Sequence, residues 1–133
     1  MIKLFIGGKG SGKTKTLIEM VNNATSTSNG SVVCIEKGDK LIHDVTYKAR
    51  LIDTDAYAVV DAEALYGFIA GILASNSDIT DIFVDSALKI IGNDVAAFET
   101  MLKKLEVITK DVNLVMTASI AVDECPDAIK AYA

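Results

Sequence analysis

The chain has 133 residues, 50% of them hydrophobic, which suits one globular domain over residues 1–133 with a single core. A chain of this size buries roughly two-thirds of its unfolded surface and folds without staples. The net charge of −5 argues against a non-specific nucleic-acid or anionic-membrane surface, yet leaves room for a nucleotide, which needs only a local anion site.

In chain order, Ile2, Leu4, Phe5 and Ile6 form an apolar run closed by glycines, the pattern of a buried strand. Residues 13 to about 24 read as a helix, with Leu17, Ile18 and Val21 at helical spacing. The β-rich stretch SVVCIE, 31–36, is the second strand. KGDK is a turn, and residues 41–55 alternate in part, with Val45, Tyr47, Ala49 and Leu51 on one side. That alternation predicts a β-hairpin arm or irregular strand, then a strand near 49–53. Asp61 caps a helix to about residue 75, striped by Leu65, Phe68, Ile69, Ile72 and Leu73. ITDIFVD, 79–85, is a strand ending on a carboxylate. From Asn93 or Asp94 a helix runs to about residue 110, with Phe98, Met101, Leu102, Leu105 and Ile108 inward. VNLVMTASI, 112–120, is the last strand, and Pro126 opens a short helix or tail. Strands alternating with helices imply βαβ crossovers. The expected fold is a three-layer α/β sandwich around a five-stranded, mostly parallel sheet.

The stretch GGKGSGKT, residues 7–14, fits G-x-x-x-x-G-K-[ST] at Gly7, Gly12, Lys13 and Thr14. The spacing has a chemical reason. Gly8, Gly10 and Gly12 let successive N–H groups turn inward as an anion nest, with the Ser11 amide among them, and the helix after them adds its positive end. Lys13 can reach the β- and γ-phosphates, and the Thr14 hydroxyl can ligate Mg²⁺. Lys9 and Lys15 are read as solvated. Two carboxylates compete for the second metal position, Asp85 at the end of IFVD and Asp53 at the end of LID, with Asp85 preferred.

Other candidates are weaker. Glu36 ends the second strand on the side where open α/β sheets bind ligands, and either orients a water or is an exposed turn residue. Thr117 and Ser119 are either γ-phosphate sensors or ordinary strand polarity. His43, the only histidine, reads as a turn residue without catalytic partners. Arg50, the only arginine, reads as structural or as facing a neighbouring subunit. Gly67 and Gly71, four apart on one helix, suggest close packing. Cys34 reads as a buried thiol. With Cys125 it makes no CxxC or Cys/His cluster, so neither zinc nor a disulfide framework is expected, and the compartment reads as reducing and cytoplasmic. The uncharged stretch 64–77 is too short to span a bilayer.

The motif and the alternating pattern over residues 1–120 resemble the P-loop NTPase superfamily. The order of parts is similar to its thymidine kinase and RecA-like branch. That resemblance implies ATP or GTP with Mg²⁺, phosphates held by Lys13 and the loop, and a metal shell of Thr14 and Asp85. It also implies catalysis carried by Lys13 and Asp85. Departures are visible: Ser86 follows Asp85 where the kinase family has a glutamate base, its zinc cysteines are missing, and one arginine cannot build an arginine-rich lid. The stretches GGKGSGKTK, CIEKGDK and YKARLIDTD also look like small bacterial P-loop proteins labelled twitching-motility ATPase. The expectation is therefore an NTPase with weak or partner-dependent hydrolysis. The alternatives are a non-hydrolysing switch or assembly module, and a small-molecule kinase using residues 37–60 for its acceptor. A protein partner or a homo-oligomer fits the first two. A strand lying between residues 2–6 and 79–85 would favour the RecA-like branch.

Overall fold

The computed structural model describes all 133 residues, Met1–Ala133. Five strands, β1 (Ile2–Gly7), β2 (Ser31–Glu36), β3 (Arg50–Asp53), β4 (Ile79–Val84) and β5 (Asn113–Ser119), form one sheet in the order β1-β5-β4-β2-β3. Every strand pair is parallel, so the sheet is more uniform than the mostly parallel one expected. The helices are α1 (Lys13–Thr27), α2 (Ala62–Ser75), α3 (Ala87–Ile90), α4 (Val95–Ile108) and α5 (Asp127–Lys130). None of them is long and apolar enough to cross a membrane.

Strand alternation sorts side chains between two cores. Leu4, Val33, Ile35, Ile82, Val84, Leu114 and Met116 point to the face covered by α2, α3 and α4. Val32, Cys34, Phe83 and Val115 point to the other face, where Leu17 and Val21 of α1 meet them. The first core is much the larger, with 22 buried residues against nine. Each large apolar side chain taken fully from water contributes about 1.5–3 kcal/mol, so most of the stability lies on that face. Its stripes match expectation: Leu65 and Ile69 of α2, and Phe98, Met101, Leu102 and Leu105 of α4, are buried. Both helices also begin on the expected caps. Asp61 Oδ1 accepts from the Ala64 amide at 2.8 Å, and Asp94 Oδ1 accepts from the Ala97 amide at 3.0 Å.

Three expectations need correction. The segment after β2 is not a hairpin arm. Residues 37–49 form turns, and β3 pairs parallel to β2, which a hairpin cannot do. Leu41, Val45 and Ala49 anchor these turns in the smaller core, while Tyr47, placed on the same side by the alternation, is 92% exposed. Burial at a spacing of four, not two, decides that segment. Gly67 and Gly71 do not serve close packing: both are exposed, and an added Cβ at either would meet nothing within 4 Å. The short helix α3, directly after β4, was not anticipated. Ala87, Leu88 and Ile90 fix it to the larger core and leave Lys89 pointing outward.

Candidate functional site

The turn between β1 and α1 is shaped by its glycines. Gly12, the residue before α1, has φ 85°, a left-handed conformation in which a side chain is strained. At Gly7, φ 150°, a side chain is likewise strained, and an added Cβ would lie 2.8 Å from Ser11 Oγ, so that Ser11 would have to shift. Lys13 folds back over this turn. Its ammonium donates to the Gly8 carbonyl at 2.9 Å and to Ser11 Oγ at 3.1 Å.

Because β5 lies between β1 and β4, the ends of three neighbouring strands converge beside the turn. Thr14 Oγ1 donates to Asp85 Oδ1 at 3.0 Å. Thr117 Oγ1 donates to the same oxygen at 2.9 Å and accepts from the Ser86 amide at 2.7 Å. Ser86 Oγ donates to Asp85 Oδ2 at 3.3 Å. Asp85 is thus fixed by three hydroxyls, from α1, from β5 and from the residue that follows it. Ser86, immediately after it, is held at φ 55°, a left-handed conformation that costs a non-glycine residue roughly 1–3 kcal/mol. Such strain persists where surrounding structure over-determines it, here through the Ser86–Thr117 bond and the burial of α3.

Asp85, not Asp53, meets Thr14. The Asp53 carboxylate accepts from the Gly38 amide at 2.7 Å and the Asp55 amide at 2.8 Å, which caps the 3₁₀ turn Thr54–Tyr57 and ties it to the loop after β2. No three His, Cys, Asp or Glu side chains converge as metal ligands. The oxygen pair Thr14–Asp85 is a hard donor set of the small size Mg²⁺ takes from protein, the rest of its shell coming from water and phosphate.

The turn and Asp85 border an open cleft of about 800 Å³, together with Lys9, Lys15, Lys40, Lys89, Asn93 and Ser119. Lys9 and Lys15 are exposed. Sequence reasoning did not single out Lys40, Lys89 or Asn93. Asn93, with φ 61°, was at hand only as a helix-start residue. The signal for all three is tertiary: they come from the loop after β2 and from the α3 region, far from the motif in sequence.

Several other candidates lie elsewhere. Thr117 is buried beneath Asp85, so it orients the carboxylate and does not face the cleft as a sensor would. Glu36 is only 2% exposed, and both its oxygens accept from the Leu41 amide at 3.1 and 3.3 Å. It is neither a surface turn residue nor aimed into the cleft: it ties down the loop that carries Lys40. His43 and Arg50 are exposed, on a turn and at the start of β3. Cys34 and Cys125 are free, buried thiols. Burial foremost, then the Glu36 and Asp85 carboxylates, push the Cys34 thiol up to about 12, so it stays protonated and unreactive at neutral pH.

The buried Glu36 gives a pH test. Burial raises its carboxyl above the ordinary 4.5, the Leu41 and Lys40 amides partly oppose this, and Asp85 and Asp53 push it further up. The folded state therefore prefers the protonated form. Its stabilisation is complete below pH 4.5 and is lost as pH rises through the raised folded value. Glu36→Gln keeps an acceptor for Leu41 and removes that slope. In urea melts, the variant's midpoint gains on wild type as pH rises above 4.5. A gap that stays constant as pH rises through and above 4.5 would show Glu36 does not titrate this way.

The chain matches no protein-family model and no curated protein sequence.

Proposed function

We propose that this chain binds Mg-ATP or Mg-GTP through residues 7–14 and hydrolyses it weakly or with a partner's help, working as a cytoplasmic P-loop protein. The observation that carries the reading is the contact between Thr14 and Asp85, a hydroxyl in the first turn of α1 and a strand-end carboxylate meeting at 3.0 Å across a 71-residue separation. The strand order supports it: β5 between β1 and β4 is the arrangement expected of the RecA-like branch.

In this reading the turn amides and the α1 N-terminus bind phosphate oxygens. Lys13 exchanges its bonds to Gly8 and Ser11 for phosphate oxygens and neutralises charge there. Thr14 and Asp85 hold Mg²⁺, which supplies further charge neutralisation when bound. Thr117 and Ser86 keep Asp85 aimed at the site.

The chain's own residues also suggest why turnover is slow. Ser86 stands beside Asp85 where a carboxylate base would serve, and the Glu36 carboxylate is engaged by the Leu41 amide. Neither presents a free base to a water at the cleft. That favours a nucleotide-dependent switch or assembly module as the second reading.

Calorimetric titration of ATP and GTP, each with and without Mg²⁺, is the test. Expected is saturable binding strengthened by Mg²⁺, with phosphate release slow or undetectable without a partner. Wild-type protein that binds neither nucleotide would sink the proposal, and rapid turnover by the isolated chain would remove the switch reading.

A further inference from the structure

We propose that Lys40 and Lys89 form a subsite for the terminal phosphate of a triphosphate, so that the cleft distinguishes tri- from diphosphates; this rests on the phosphate reading of residues 7–14. The first ground is charge placement. The chain carries a net charge of −5, yet this cleft gathers five lysines and a single carboxylate. The ion pairs of the molecule are Lys37–Asp55 and Lys103–Glu99, so neither Lys40 nor Lys89 has a carboxylate partner. Two neighbouring ammonium groups without a counter-charge repel each other, and a bound polyanion relieves that repulsion.

The second ground is anchorage. Lys40 precedes Leu41, whose side chain is buried in the smaller core and whose amide is held by the buried Glu36 carboxylate. Lys89 projects from α3, where Ala87, Leu88 and Ile90 are buried on either side of it. Both side chains therefore leave fixed backbone toward one space. Both border the cleft together with Lys9 of the glycine turn, and repulsion, from Lys40 above all, lowers the Lys89 pKa below the ordinary lysine value.

The third ground is division of labour. The turn, Lys13 and the Thr14–Asp85 pair suffice for a diphosphate with its metal. The lysine pair adds two positive charges on the other wall, from elements that follow β2 and β4, where the next phosphate's charge falls. It also supplies in cis the cationic groups that the single arginine, exposed on β3, does not.

The test compares Mg-ATP and Mg-ADP affinities in wild type, Lys40→Gln, Lys89→Gln and the double variant. Both positions changed are exposed side chains, so folding is preserved, and thermal melts check it. Expected is a preference of wild type for ATP. The double variant loses about tenfold in ATP affinity, as charge-assisted phosphate contacts of this kind carry, while ADP affinity stays within about twofold. Equal losses for both nucleotides, or no change in either, would overturn the subsite while leaving the nucleotide reading in place. Inorganic tripolyphosphate and pyrophosphate, titrated in parallel, separate the two ideas further. Wild-type preference for tripolyphosphate that the double variant loses upholds the subsite even if no nucleotide binds. Absence of binding or of preference with these probes as well as with nucleotides overturns it.

Discussion

Replacing Lys13 by alanine is expected to lower the affinity for Mg-ATP by about a hundredfold or more, with little change in thermal stability. Charge-assisted hydrogen bonds contribute about 1.5–3 kcal/mol each, and a hundredfold loss corresponds to about 2.7 kcal/mol. Lys13 is the cation seated on the turn itself, with its ammonium 2.9 Å from the Gly8 carbonyl. Lys13 is half-buried and belongs to neither core, so removing its side chain opens no core cavity. Binding and folding are thus separable in one variant. Calorimetry reads the affinity and circular dichroism melts read the fold. A variant that binds Mg-ATP as tightly as wild type would show that the glycine turn is not the phosphate site. The same measurement on the Lys40 and Lys89 variants is expected to give a contrast in kind: loss of both ADP and ATP affinity for Lys13→Ala, and loss of ATP affinity alone for the lysine pair.

Phe98→Ala has the largest expected effect on stability. Phe98 is fully buried on α4, among the 22 residues of the larger core. Truncating a buried phenylalanine costs about 3–5 kcal/mol, from lost transfer energy and the cavity left behind. Domains of this size have total stabilities of roughly 5–15 kcal/mol, so the variant sits near the threshold of folding. The urea midpoint falls accordingly, and the melting temperature drops by on the order of 10–20 °C. Leu17→Ala, in the nine-residue core on the other face, is the control: its expected cost is about 2–5 kcal/mol, at or below that of Phe98→Ala. A loss below about 1 kcal/mol at Phe98 would mean that this face relaxes around the gap and is not the principal core.

The strands and helices near the motif were legible because local signals agreed there. A short apolar run, glycines at the turn and a helical stripe all pointed to strand, turn and helix, and β1 and α1 follow. The caps Asp61 and Asp94 were legible for the same reason, since a side-chain oxygen before an apolar stripe satisfies the free amides at a helix start. Residues 37–49 were misread because a partial alternation imitates a strand. Pairing depends on a neighbour, and β2 takes β3 as a parallel partner, so the intervening chain has to cross over and cannot fold back as a hairpin. Helix α3 escaped notice because four residues are too few to display a helical period; its burial against β5 and its neighbours makes it a helix.

The sequence by itself determined the glycine turn, its lysine and its threonine. Their spacing is set within a few residues of chain, and glycine's freedom and the start of a helix act at that range. Only the tertiary structure decided which carboxylate stands opposite Thr14. Asp53 and Asp85 both end apolar strands, and nothing local distinguishes them. The sheet order does: it sets β4 one strand away from β1 with β5 between them, and leaves β3 at the far edge. The same long-range arrangement made Thr117 a prop for Asp85, turned Glu36 into the anchor of the Lys40 loop, and gathered Lys40 and Lys89 beside a turn some thirty and more residues away. Charge along a chain is visible in sequence, but charge across a cleft depends on which strands are neighbours.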